Sequence, residues 1–247
     1  MTYFYAGLEP ATAAFLFAAS FLGSFITVAM GIGGGVMLLA VMASLVPPVA
    51  LIPVHGVIQL GSNVNRTLVM GRQTYWPPVA AFGIGGVIGI SIGGAVVVDL
   101  PPSAVQIGVG VFVIWTVLRK PPAWLTRWPW VTGMISSFLT MFFGATGVFV
   151  AGFVRSLDLG REAHVATQAI LMTLQHLLKV IVFGLLGFAF GPWLGFIAIM
   201  IATGFFGTLV GRQVLRRMND AIFAKVLNGF LVVLALRLIW QGGAGLM

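Results

Sequence analysis

The run 23–35, GSFITVAMGIGGG, is an apolar segment that stops being good helix in its middle, and the run 136–148, SSFLTMFFGATGV, does the same 113 residues later. In the first, Gly31, Gly33, Gly34 and Gly35 fall within five positions, and each glycine costs about 1 kcal/mol of helix propensity relative to alanine. In the second, Gly144 and Gly147 bracket Ala145 and Thr146. A broken helix in lipid exposes backbone N–H and C=O groups that hydrocarbon cannot satisfy, so such breaks persist only where protein buries them or where they line a cavity. Both breaks are therefore expected to form the walls of a site.

Lipid is the right solvent because the rest of the chain demands it. The 247 residues are 60% hydrophobic and 7% charged, with a mean hydropathy of +1.09, whereas a soluble domain carries about 25% charge. Apolar runs of twenty or so residues recur along the chain, enough to cross a hydrocarbon core roughly 30 Å thick. The short alternating segments of a membrane β-barrel are not the pattern seen. The reading is an all-α polytopic membrane protein with the lipid bilayer as its surround.

No cysteine occurs, which excludes disulfides, thiolate nucleophiles and cysteine metal sites. The N-terminus MTYFYAGLEPAT has no basic region ahead of its apolar run, so the first segment is expected to stay in the mature protein. The net charge of +8 comes from cations scattered singly or in pairs at segment ends. That distribution fits cytoplasmic loops and not a nucleic-acid surface.

The spacing predicts apolar segments at 12–30, 36–46, 49–70, 79–98 and 103–118, then at 131–143, 148–157, 163–183, 193–215 and 221–240. Pro47-Pro48 and Pro101-Pro102 punctuate the first half. A stretch with three prolines, three cations and three tryptophans, 119–130, separates the halves. This gives a membrane repeat at 1–120, a linker at 121–130 and a second membrane repeat at 131–247. At an offset of 113, Ser24, Phe25, Thr27, Gly31, Gly34 and Gly71 face Ser137, Phe138, Thr140, Gly144, Gly147 and Gly184. At an offset of 118, Gly86, Gly89 and Gly93 face Gly204, Gly207 and Gly211, spaced for close helix packing.

Cations select between two topologies. If each broken segment turns back as a hairpin, each half crosses three times and the second half is inverted. Arg66, Arg72, Arg119, Lys120, Arg127, Arg155, Arg161, Arg212, Arg216 and Arg217 then share one side, with Glu9 and Asp99 on the other, as the positive-inside rule expects. Inverted repeats with both termini outside are the favoured arrangement. The run 12–30 is nonetheless long enough to span alone, which would make the halves parallel.

Polar residues stand in the second full segment of each half. His55, Gln59, Asn63 and Arg66 follow at steps of four, four and three, on one helical face. Gln168, Gln175, His176 and Lys179 form a similar stripe, with His55 matching Gln168, Ser62 matching Gln175, Asn63 matching His176 and Arg66 matching Lys179. An intramembrane charge faces a cavity or a partner, yet all five acids, Glu9, Asp99, Asp158, Glu162 and Asp220, sit at segment ends. An anion is the natural partner. Half-helices starting after Gly35 and Gly147 would add N–H groups and the positive end of a dipole.

The candidate substrate-binding set is His55, Gln59, Asn63, Arg66, Gln175, His176 and Lys179, with Gly33, Gly34, Gly35, Thr146 and Gly147 at the breaks. Competing readings are a snorkelling anchor for Arg66 or Lys179, helix-to-helix hydrogen bonding for Gln59, Asn63 and Gln175, and close packing for the glycines. His55, His164 and His176 are too dispersed for a metal triad, and no Ser/His/Asp elbow or nucleotide motif appears. The sequence thus gives no metal site, no cofactor and no catalytic residue. It points to a secondary transporter that rocks one repeat against the other, with a channel or a scaffold subunit as alternatives. A proton or sodium ion as coupling partner, and a homodimer, are left open.

The two glycine breaks, the Pro-Pro stop, the polar segment VHGVIQLGSNVNRTLVMG and the glycine-spaced third segment resemble the sulfite exporter TauE/SafE family over about 11–240. The resemblance implies transport of sulfite, sulfonates, sulfoacetate or similar small anions across the bacterial inner membrane. It points by position to Gly31, Gly33, Gly34, Gly35, Gly144, Gly147 and the polar stripes. The milder second break, GATGV against GIGGG, implies two half-sites that are not strictly alike.

Overall fold

The computed structural model describes residues 2–97, 101–119, 122–124, 127–144, 146–214 and 220–244. The expectations for Asp99, Lys120, Ala145, Arg216 and Arg217, and for the Asp220 side chain, fall outside them. Ten helices are described: α1 Pro10–Met30, α2 Gly34–Ala43, α3 Pro48–Met70, α4 Val79–Val97, α5 Pro102–Leu118, α6 Pro129–Phe143, α7 Gly147–Ser156, α8 Arg161–Leu185, α9 Leu194–Val214 and α10 Asp220–Ala244. No strand occurs among the described residues. By length and composition α1, α4, α8 and α9 are apolar enough to cross a membrane. The chain is an all-helical, multi-pass membrane protein.

Local chemistry sets the helix ends. Pro10, Pro48, Pro102 and Pro129 each open a helix, where the missing N–H has no intrahelical partner to lose. The Pro-Pro pair at 47–48 is thus a start as much as a stop. α1 ends at Gly31 and α6 at Gly144, with φ of 79° and 75°, a left-handed turn that glycine enters without Cβ strain. α2 begins at Gly34, not after Gly35. Glycine costs little in a first turn, and a Cβ on Gly34 would run into the carbonyl of Gly23.

After each turn the short helix folds back along the long one. α2 returns past α1, with Gly34 against Gly23 and Thr27, and with Leu38 Cβ 3.6 Å from where a Cβ on Gly23 would sit. α7 returns past α6, where Thr146 Oγ1 donates to the Ser136 carbonyl at 2.9 Å. The hairpins then cross over: α1 packs along α9, and α6 along α4.

Contact order along each pair fixes the directions. Lys179 meets Gly56, Thr67 Oγ1 lies 3.5 Å from Thr173 Oγ1, and the Tyr75 N–H donates to Thr167 Oγ1 at 2.9 Å, so α3 and α8 run antiparallel. α5 and α10 do too, with Gly110 at Ala235 and Ile239, and Gly242 at Ile107 and Ser103. α1 and α9 run parallel, as do α4 and α6. Ser20 Oγ donates to the Met200 carbonyl at 2.6 Å, Gly207 abuts Phe21, and Gly211 abuts Phe25. Gly89 abuts Met134, and Gly93 abuts Phe138 and Met141.

Lipid tails are as apolar as leucine, so helices associate in a bilayer through close packing and hydrogen bonds. The glycine rows supply that closeness, while Ile84, Ile92 and Phe206 on the same helices point outward. α2 is buried at every position but Gly35, with Leu39 and Met42 fully buried at the centre of the main core. The central pair α3–α8 carries the polar stripes into this interior.

Candidate functional site

Halfway along α3 and α8 the stripes face each other across a cavity of about 40 Å³. One wall is His55, Gln59, Asn63 and Arg66 from α3; the other is Gln168, Met172 and His176 from α8. Thr27 of α1 and Ile32 complete the lining with the two breaks, which contribute Gly33, Gly35 and Val36 from the first and Gly147 and Val148 from the second. The N-termini of α2 and α7 therefore border one space. Their first-turn N–H groups lack intrahelical acceptors and carry the positive end of each helix dipole.

The α3 wall is held by local hydrogen bonds. His55 Nε2 lies 3.2 Å from the Gly35 carbonyl and 3.2 Å from Gln59 Nε2. It serves the first as donor or the second as acceptor, and in the latter tautomer Nδ1 carries the proton. Asn63 Nδ2 donates to the Gln59 carbonyl at 2.7 Å. Arg66 donates through one terminal nitrogen to Ser62 Oγ at 3.1 Å, and Ser62 is braced by Ser24 at 2.9 Å. The rings of His55 and His176 meet edge to face with centroids 6.5 Å apart.

What these groups lack is the informative part. Arg66 is 3% exposed, and no acid pairs with it among the described residues. Its Nε is buried without a partner, as are His55 Nδ1, Asn63 Oδ1, Gln168 Oε1 and His176 Nδ1. Buried polar atoms are normally hydrogen-bonded, and all five of these belong to residues that line one space. An amide can turn its NH₂ toward that space and an imidazole can present N–H. The set can therefore supply several donors around one fixed positive charge.

Not every expected residue is on this wall. Gly34 is packed against Gly23. Thr146 Oγ1 donates to Ser136 and accepts from Gln175 Nε2 at 2.8 Å. Gln175 Oε1 accepts from Ser136 Oγ, also at 2.8 Å. Lys179 points to the end of α6, with Nζ 3.5 Å from Thr140 Oγ1 and 3.4 Å from the Gly144 carbonyl. These four brace the hairpins instead of facing the space. Thr27, Gln168 and Met172 were not in the expected set, although Gln168 is the positional match of His55 and Met172 that of Gln59.

A multi-pass helical protein with a buried, uncompensated cation and two broken-helix N-termini around one polar cavity has the anatomy of a solute transporter. The family model described as sulfite exporter TauE/SafE matches residues 16–238, and the chain belongs to that family of membrane transporters of sulfite or related anions. No curated protein and no solved structure matches it.

Proposed function

We propose that the protein is a secondary transporter of small sulfur oxyanions, sulfite first among them, in the bacterial inner membrane. The observation that carries this reading is Arg66: a buried guanidinium on the wall of a small cavity, with an orphaned Nε and no acid beside it among the described residues. Guanidinium presents a planar fork of donors suited to oxyanions. His55, Asn63, Gln168 and His176 would meet the remaining oxygens, with N–H groups of the first turns of α2 and α7. The volume favours the small end of the class. About 40 Å³ corresponds to roughly three waters by the same measure, closer to sulfite than to sulfoacetate.

Access would alternate between the two sides of the membrane. The antiparallel pairing of α3 with α8, and of α5 with α10, supports inverted halves, and the fold-back of α2 and α7 supports three crossings per half. Because α1 lies on α9 and α6 on α4, the moving bodies would each combine a hairpin of one half with a helix of the other.

The test is thermal stabilisation of the purified protein by sulfite, sulfate, sulfoacetate and acetate, repeated with Arg66→Ala. Stabilisation by sulfite that vanishes in the variant is expected. Undiminished stabilisation in the variant would move the site elsewhere, and stabilisation by acetate alone would remove the sulfur-anion class.

A further inference from the structure

Lys179 is fully buried, yet it does not line the anion cavity. Its ammonium lies at the C-terminal end of α6, where Thr140 Oγ1 donates to the Gly144 carbonyl at 3.0 Å and both oxygens turn toward Nζ at 3.5 and 3.4 Å. Two neutral acceptors at long range leave the third N–H without a partner among the described residues. The hydroxyl and carbonyl at a broken helix's C-terminal end are the kind of ligands that transporters offer to a coupling cation. Here a side-chain ammonium already occupies that position.

The first half shows that the placement is not forced by the repeat. At the same offset, Thr27, Gly31 and Arg66 correspond to Thr140, Gly144 and Lys179. Thr27 Oγ1 there donates to Gly23 instead, and Arg66 bonds Ser62 on the cavity wall. The two cations also differ in chemistry, because an arginine holds its proton throughout and a lysine can give its proton up.

We propose that Lys179 is the proton-binding site that couples anion movement to the proton gradient, one proton travelling with each monoanion. This rests on the transporter reading above. On loading, the amine nitrogen takes a proton from the side that supplies the anion; on unloading, the N–H bond breaks and the proton leaves on the far side. Two buried cations without an acid are costly. An arriving anion offsets one of them, and the empty site sheds the same charge by releasing the Lys179 proton. The net charge of the site is equal in the loaded and empty states.

The surroundings supply no competing base of opposite charge. The rings of His55 and His176 stand at the cavity, and their Nδ1 atoms have no partner. Among the elements packed against α8, α3 brings His55 and Arg66, the turn after it Arg72, and α7 Arg155, while α4 and α6 bring no titratable group. α8 itself carries Arg161, Glu162, His164 and His176, with the acid more than four turns before Lys179. Gly56 leaves the room that the lysine stem occupies, since a Cβ there would sit 2.6 Å from Cε.

The experiment uses the full chain in sealed vesicles with labelled sulfite. For the wild type, an interior-alkaline pH gradient should drive accumulation and a sodium gradient should not. In Lys179→Gln and Lys179→Arg, exchange of labelled for unlabelled sulfite should persist while pH-driven accumulation is lost. Sulfite's own protonation is common to all three proteins, so the comparison isolates the side chain. A sodium-driven wild type overturns the proposal. So does Lys179→Arg accumulating like wild type, because that variant keeps a cation under α6 without a releasable proton, as a purely structural role would require. If Lys179→Gln does not insert, Lys179→Arg decides. Sulfite binding that stays intact while coupling fails separates this proposal from the transporter reading, which falls only if binding is absent.

Discussion

The first hairpin and its counterpart turn at equivalent residues, Gly31 and Gly144, and are braced by different chemistry. In the first, the break is Gly31, Ile32 and Gly33, and Gly34 touches backbone, so α2 lies tight on α1 and the polar stripe beside it is free to face the cavity. In the second, Thr146 and Gln175 replace that backbone contact with side-chain bonds to Ser136, and Lys179 is drawn under the turn. The second stripe gives Gln175 and Lys179 to bracing and keeps Gln168 and His176 for the cavity. One half presents the cavity-facing charge, and the other half holds the frame.

The largest effect expected from this contrast is at the glycines. Gly34→Ala should abolish sulfite transport in vesicles while the protein still inserts, because the new methyl meets the Gly23 carbonyl and Thr27. Gly147→Ala should keep measurable transport, since the nearest atom to its Cβ would be Met172 Cε at 3.5 Å. Equal loss in both would break the comparison.

Next comes Arg66→Gln, which removes the one charge on the cavity wall. Losing one partner of a buried charge interaction costs ~2–5 kcal/mol, so sulfite affinity should fall roughly 30-fold or more by calorimetry. Retained affinity would mean that the helix N-termini suffice. Gln168→Ala should cost about 1.5 kcal/mol, the low end for a hydrogen bond to a charged group. Titration would show that as roughly a tenfold weaker Kd. The smallest effect belongs to Ser62→Ala, which leaves the guanidinium in place and removes its brace. A net hydrogen bond of ~0.5–1.5 kcal/mol predicts a few-fold change in Kd, and a larger change would make Ser62 a ligand in its own right.

Punctuation was the legible part of the fold. Gly31 and Gly144, or Gly34 and Gly147, mark the turns and helix starts at a constant offset because a left-handed turn and a helix start are local matters of backbone sterics. The stripe on α3 was legible for the same reason, its four residues sharing one face by spacing alone. The fate of Lys179 was not, because it occupies the register of Arg66 and is redirected by Thr140 and Gly144, which lie 39 and 35 residues away. Nor was the crossing of the hairpins, since the row Gly204, Gly207, Gly211 announces a close neighbour without saying that the neighbour is α1. Met172 stands at the position of Gln59 and lines the cavity, but an apolar side chain in an apolar helix carries no signal in the sequence.

That crossing has a consequence for how the chain can be divided. With α1 seated on α9 and α6 seated on α4, each half leaves its own hairpin uncovered and offers a cradle for the other's, so the boundary visible in the sequence is no seam in the folded molecule. Severed at 121–130, the fragments should be orphans apart and a working protein together, like two hands that close only by clasping.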